Sequence, residues 1–238
     1  MTFSSLASSS SGNLYVVTDA DGRRLAIECG LSLRRMREAL GFTLSSLDGV
    51  LVSHSHDDHC AAALDIMQMG SPSVWASRST LDAINGSGGV HRHAGRELEP
   101  GTIQEVGAFH VLPFDAHHDA PGALGFVVLS RDGGALLYAC DTSHVPMQFR
   151  GLTHIAVECN FAIDLLRESS AEHRTRVVKN HMSLERVVEM LRQADLSKVR
   201  EVHLLHLSDA HSDAERFRRE VEAATGKPVY VAPKWGAR

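Results

Sequence analysis

An apolar stretch, Val50-Leu51-Val52, runs directly into Ser53-His54-Ser55-His56-Asp57-Asp58-His59. A buried strand that ends in imidazoles and carboxylates constrains the whole fold, because other strand ends must bring the missing partners to the same place. Alternation along the chain aims His54 and His56 the same way. Asp58 and His59 turn toward a second position at the start of the following helix. Imidazole with carboxylate suits zinc, iron or manganese better than calcium or magnesium. Two ions need roughly three or four ligands each, commonly with one shared carboxylate, so the string cannot serve alone. His118, Asp141 and His206 fit the gap by type and by position, each lying just past a strand-like run.

The chain has 238 residues, enough for a substantial core, and reads as one domain over 1–238. Fifteen histidines are more than any one site can use. A net charge of -5 does not advertise nucleic-acid binding. Met1-Thr2-Phe3-Ser4-Ser5 lacks the basic and apolar regions of a secretion leader, and no apolar run reaches membrane-span length. A cytoplasmic location is the expectation. Cys29, Cys60, Cys140 and Cys159 show no C-x-x-C spacing and read as reduced thiols. Cys60 and Cys140 adjoin proposed ligands, but small buried hydrophobes are the simpler account of both.

The elements follow a pattern used twice, strands first and helices after. Ser8–Asn13 is a Ser/Gly-rich lead into a strand at Leu14–Val17. Asp21-Gly22 then turns into Arg24–Glu28. A helix over Leu31–Leu40 stops at Gly41. The strand at Gly49–Ser53 is followed by a helix toward Met69, a strand at Val74–Ala76 and a short helix at Ser79–Ile84. Asn85–Pro100 reads as a loop. The second half predicts strands at Thr102–Gly107, Phe109–Phe114, Gly125–Ser130, Ala135–Cys140 and His154–Glu158. Helices over Ala162–Val178 and Ser183–Ala194 follow, then a strand at Val199–Leu207. Ser212-Asp213-Ala214-Glu215 has the form of a capping box for a helix to Ala224, and Val229–Val231 closes as a strand. The result is an α/β chain, two mixed sheets with helices outside: a four-layer αββα sandwich.

The string followed by His118, Asp141 and His206 resembles the metallo-β-lactamase superfamily in order and spacing, across nearly the whole chain. Shorter motifs are similar to its YycJ/WalJ group. They are Leu6–Asn13, His118-Asp119-Ala120 with Gly125-Phe126, Cys140-Asp141-Thr142, Glu158-Cys159-Asn160, Asn180-His181-Met182-Ser183 and Leu205-His206-Leu207-Ser208. That group belongs with the tRNase Z-like phosphodiesterases, and its members are described as exonucleases. The resemblance implies two divalent ions, zinc or manganese. His54, His56 and His118 would hold one, Asp58, His59 and His206 the other, and Asp141 would bridge them. It implies phosphodiester hydrolysis by a hydroxide that the ions activate, with Asp58 orienting it. Glu158 and His181 match a Glu–His pair that helps protonate the leaving group. Two positions depart from the group: Phe161-Ala162 replaces a His-Asp after Glu-x-Asn, and Asn180 replaces a Gly before the later His.

Ser10, Ser11 and Asn13, with Asn160, are candidate contacts to a substrate phosphate. Arg174, Arg176 and Lys179 could line a phosphate track, although solvated helix charge explains them more simply. His117 competes with His118, which is preferred because the His-Asp-Ala trio begins there. His91, His93, His110, His144, His154, His173, His203 and His211 read as surface or packing residues.

Three functions are compatible with these residues. A metal-dependent DNA exonuclease is the leading one. A phosphodiesterase for cyclic nucleotides or other small molecules would use the same ligands, in a more closed site that a homodimer could cap. A non-catalytic metal-binding module is the third, and seven intact ligand positions argue against it. No long inserted arm of the kind that grips tRNA is present. A secreted β-lactamase fits neither the N-terminus nor the Asp58-His59-Asp141 pattern.

Overall fold

The computed structural model describes residues 1–86, 95–145, 149–167 and 170–236. The first sheet takes its strands in chain order, β1 (Thr2–Ala7), β2 (Leu14–Thr18), β3 (Arg24–Ile27), β4 (Leu47–Leu51), β5 (Val74–Ala76) and β6 (Gly95–Glu97). The second runs β13-β12-β11-β10-β9-β8-β7. Its strands are β7 (Gln104–Val106), β8 (Phe109–Asp115), β9 (Leu124–Ser130), β10 (Ala135–Ala139), β11 (His154–Glu158), β12 (Glu201–Leu205) and β13 (Val229–Val231). Each sheet is antiparallel in its first part and parallel in its second: β1–β3 and β7–β10 form meanders, whereas β3–β6 and β10–β13 run parallel. Parallel neighbours need long crossovers, which explains where the helices fall. Helices α1 (Leu33–Ala39), α2 (Asp57–Cys60), α3 (Ala63–Met69) and α4 (Arg78–Asn85) serve the first sheet. Helices α5 (Ile163–Leu166), α6 (Ala171–Asn180), α7 (Leu184–Gln193) and α8 (Ala214–Thr225) serve the second.

Strands buried on both faces supply three apolar layers. Tyr15, Val17, Leu25, Ile27 and Leu51 meet Phe109, Val111, Phe126, Leu136 and Tyr138 between the sheets. The alternate residues face outward. Leu14, Val16, Ala26 and Val50 cover Met36, Ile66 and Leu81 of the helices, and Leu137, Val157, Val202 and Leu204 cover Leu184, Val187, Leu191, Phe217 and Val221. The αββα sandwich expected from the sequence is therefore the observed architecture. No helix among the described residues is long and apolar enough to cross a membrane.

Several local expectations need correction. Strand β1 precedes the Ser8–Asn13 lead-in, where no element was expected, and pairing with β2 from Thr2↔Thr18 onward supplies its ladder. Residues 85–100 contain β6, a polar strand held by β5 through Val74↔Gly95 and Ala76↔Glu97. The helix expected over Ala162–Val178 is two helices, with Ser170 capping the second by accepting from the amide of His173. At α8 the cap is Asp213, which accepts from the amide of Arg216, while the Ser212 hydroxyl bonds back to the Ser208 carbonyl. His91 and His93 lie outside the described residues.

Candidate metal centre

Six strand ends deliver the polar groups to one place. Glu28 follows β3, the His54–His59 string follows β4, His118 follows β8, Asp141 follows β10, Glu158 ends β11 and His206 follows β12. Glu28, Asp141 and His206 hold positive φ values of 65°, 48° and 53°. That left-handed conformation is uncommon outside glycine, and surrounding contacts must hold it. Gly30 has a different job. A Cβ there would sit 1.7 Å from the Asp58 carbonyl oxygen, so only glycine lets the Asn13 turn nest against α2. The same carbonyl accepts from the Asn13 amide at 2.8 Å.

Three groups of donor atoms result, each lying within 4.8 Å of one another: His54, His56, His118 and Asp141; Asp58, His59, Asp141 and His206; and Asp141, Glu158, His181 and His206. Asp141 belongs to all three. In the first group His56 Nδ1 lies 3.1 Å from His54 Nε2 and 3.2 Å from His118 Nε2. A tetrahedral ion with Zn–N bonds of about 2.0–2.1 Å separates its nitrogens by roughly 3.3 Å, so this spacing fits a cation. His118 Nδ1 faces the Asn180 carbonyl at 3.3 Å. A carbonyl only accepts, so the proton sits on Nδ1 and the Nε2 lone pair faces the cluster.

In the second group His59 Nε2 lies 3.4 Å from Asp58 and 3.3 Å from Asp141, and His206 Nε2 lies 3.3 Å from Asp58. His206 Nδ1 faces Asp141 at 3.2 Å and Glu158 at 3.4 Å. The donor set, nitrogen and carboxylate oxygen converging in two groups around one shared carboxylate, is the chemistry that two transition-type divalent ions require.

A buried network holds these groups in place. Glu28, fully buried, accepts from the Tyr138 hydroxyl at 2.9 Å and from the Ser53 amide at 3.2 Å. The same carboxylate stands 3.4 Å from His59 Nδ1, an atom with no hydrogen-bond partner among the described residues. The Ser8 hydroxyl pairs with the Tyr15 hydroxyl at 2.7 Å and accepts from the His206 amide at 2.8 Å. Tyr15 in turn donates to the Asn13 side-chain carbonyl at 3.0 Å.

Proton affinities divide the site. Burial pushes His54 well below the ordinary imidazole range, with the neighbouring His59 adding to the effect, and burial lowers His118 as well. Burial also opposes charge on His59, but Asp141 and Glu28 outweigh it and raise that imidazole well above its usual range. For His206, burial is overcome by Asp141 and by hydrogen bonds to Asp58 and Glu158, and its pKa is pushed up to about 10. Burial likewise resists charge on Asp58 and Asp141; hydrogen bonds from His206 and His59 hold Asp58 low, and the charges of His206 and His59 hold Asp141 low. His181 bonds Glu158 through Nδ1 at 2.6 Å, and despite its burial that carboxylate raises it.

The other sequence candidates sort themselves by exposure. Ser10 lines the cleft over the donor groups, together with Asp119, Arg176 and Asn180. Ser11 is exposed and does not line it. Asn13 and Asn160, expected as phosphate contacts, are buried and bond the backbone of two candidate ligands. The Asn13 amide nitrogen donates to the Asp58 carbonyl at 3.0 Å, and that of Asn160 to the His206 carbonyl at 2.8 Å. His117 stands apart from the clusters, with its ring 5.8 Å from His144. Asn180 donates to Asp119 at 2.7 Å, tying α6 to the loop that carries His118. Sequence reasoning missed Glu28 and Ser8. The available signal for Glu28 was a carboxylate directly after the apolar run Leu25-Ala26-Ile27.

The sequence model of the family described as Beta-lactamase superfamily domain matches residues 23–231. The chain belongs to this family. Exodeoxyribonuclease YycJ of Bacillus anthracis is 26% identical to this superfamily member over 233 residues, covering 92% of the chain and 87% of the relative. Ribonuclease Z of Methanopyrus kandleri is 27% identical over 117 residues, 44% of the chain and 40% of that protein. Among solved structures, the metallo-β-lactamase fold protein YhfI from Bacillus subtilis superposes with a TM-score of 0.73 at 15% identity, covering 98% of this chain and 96% of its own. The four-layer sandwich is thus the metallo-β-lactamase fold.

Proposed function

We propose that this superfamily member is a metal-dependent phosphodiesterase, and that it works as a DNA exonuclease in a single domain spanning 1–238. One observation carries the reading: Asp141 is common to two donor groups, and the Glu158–His181 pair stands beside them, with His181 Nδ1 3.9 Å from Asp141. His54, His56 and His118 would hold one divalent ion, Asp58, His59 and His206 the second, and Asp141 both; zinc and manganese are each compatible with His and Asp donors. Bound there, the ions supply Lewis acidity to a phosphoryl oxygen and lower the pKa of water toward about 7.

The side chains do the rest. Asp58, whose Oδ2 lies beside His59 and His206, would orient the attacking water. His181, whose proton affinity is raised by the Glu158 carboxylate, would offer a proton to the departing oxygen. The cleft over the clusters holds about 230 Å³, below the roughly 300–1,000 Å³ of pockets that enclose whole small molecules. That size suits a substrate of which the scissile group alone enters the cleft of one chain. The two nuclease relatives support the same substrate class, and a cytoplasmic setting with reduced thiols suits a DNA enzyme.

The test is incubation of purified protein with end-labelled single and double strands plus manganese or zinc. Progressive shortening from one end, lost in Asp141→Ala, is the expected result. Wild type that leaves both strands intact, or matches Asp141→Ala, refutes the reading.

A further inference from the structure

Helix α6 divides two recesses. Arg176, Val177 and Asn180 line the cleft over the donor clusters, whereas Arg174, Thr175, Val178 and Lys179 line a groove on the opposite side. The spacing explains the division, since 174 with 178 and 175 with 179 share one face and 176 with 180 shares the other. The groove is the larger recess, about 730 Å³ against 230 Å³. Four cations border it, Arg167, Arg174, Lys179 and Arg186, and no carboxylate does among the described residues. Such a lining runs against a chain whose net charge is -5. Between the cations the surface is apolar, with Ile163 49% and Val178 39% exposed.

The groove also connects to the chemistry. Ser143, on its border, comes two residues after Asp141, a reach of at most about 7 Å of chain. Lys179 adjoins Asn180 of the cleft. The Arg186 guanidinium donates to the carbonyls of Ser143 and Val178 at 3.3 and 3.4 Å, and so spans from the Asp141 loop to α6.

We infer that this groove holds the single-stranded continuation of the polynucleotide whose scissile phosphate lies in the cleft, with its phosphates on the four cations and its bases against Ile163 and Val178. The inference rests on the phosphodiesterase reading and adds to it a second binding region and a minimum substrate length. Alternating positive and apolar surface suits a single strand, since charge tracks the backbone and unpaired base faces, with no aromatic platform exposed among the described residues of the groove, can cover the aliphatic side chains Ile163 and Val178. A small phosphodiester fills the cleft and never reaches the groove.

The experiment compares kcat/KM for a labelled single-stranded 15-mer and for bis-p-nitrophenyl phosphate, using full-length protein with manganese. The variants are Lys179→Glu, Arg174→Glu, the neutral Lys179→Gln, and Lys198→Glu as a control before β12, outside both recesses. Each charge reversal should lower the 15-mer value at least tenfold more than that of the small ester, through KM. Lys179→Gln should act in the same direction by less, with matching circular dichroism and a shallower salt dependence, the log–log slope falling by about 0.7 for each phosphate no longer neutralised. Lys198→Glu should behave as wild type on both substrates. Equal effects on the two substrates, or none on either, overturn the groove. Wild type inactive on both substrates refutes the hydrolase reading instead. Fluorescence polarisation of the labelled 15-mer then decides the groove: binding weakened by charge reversal supports it, and no binding or unchanged binding overturns it.

Discussion

The two donor clusters share Asp141 yet are prepared in opposite ways. His54 and His118 are pushed toward the neutral form by burial, and the His118 lone pair already points inward. His59 and His206 sit among Asp58, Asp141, Glu28 and Glu158, which hold protons on them. His54 and His118 favour the form that takes a cation without losing a proton, whereas His59 and His206 favour the form that must exchange a proton for metal. Surplus carboxylate therefore does two things at the second position: it stabilises the metal-free protein, and it later balances the charge of the ion.

The proton held beside the second cluster gives the strongest test of this division. His181→Ala should slow hydrolysis of an ester with a poor leaving group by about 10²–10⁴-fold, the range of general acid catalysis. Bis-p-nitrophenyl phosphate, whose leaving group needs no proton, should be much less affected. Equal losses on both esters would remove His181 from the proton-donating role.

Glu28→Gln should weaken one ion of the two by about 10–100-fold, because it removes the carboxylate behind His59 while leaving the first cluster alone. Competition titration with a chromogenic chelator reads this as two separated affinities, and a uniform loss at both sites would show that the clusters are not prepared independently.

Metal affinity should also respond to pH differently at the two positions. Between pH 6.5 and about 10, affinity at the second cluster should rise about tenfold per unit for each proton displaced, whereas the first should be nearly flat above the ordinary imidazole range. Stability of the metal-free protein moves the other way. His206 is raised in the folded state, so its contribution is complete below about 6.5 and disappears as pH rises through about 10. Asp58 and Asp141 are depressed, so theirs is present above the ordinary carboxylate range near 3.8 and disappears as pH falls. Thermal melts with chelator should peak between those limits. A metal-free optimum above pH 8 would contradict the protonated second cluster. A smaller change is expected for Ser8→Ala, which leaves the His206 amide without its acceptor and should cost about 1–3 kcal/mol by chemical denaturation.

Much of this arrangement was legible before the structure. The unbroken apolar runs at Leu14–Val17 and Ala135–Cys140 read as strands from the sequence, and the His/Asp string announced its own chemistry. What escaped was set by partners remote in sequence. The β1 and β6 strands carry little alternation and depend on ladders from β2 and β5. The break between α5 and α6 turns on one serine cap inside a run that reads as continuous helix. Asn13 looks like a phosphate contact in a Ser/Gly-rich turn, yet Gly30 lets that turn fold inward until its amide meets Asp58. Glu28 looks like an ordinary strand end until Tyr138, from the other sheet, closes on it.

By itself the sequence determined the inventory: which donor types exist, that they follow strands, and that sandwiched sheets would carry them. Those properties are local, set by side-chain chemistry and a two-residue period. Only the tertiary structure decided which donors lie together, which imidazoles are raised and which lowered, and which face of α6 looks into the cleft. The reason is physical. His54, His118, Asp141 and His206 come from strands far apart in the chain, and sheet order, backbone turns and burial set their distances and proton affinities.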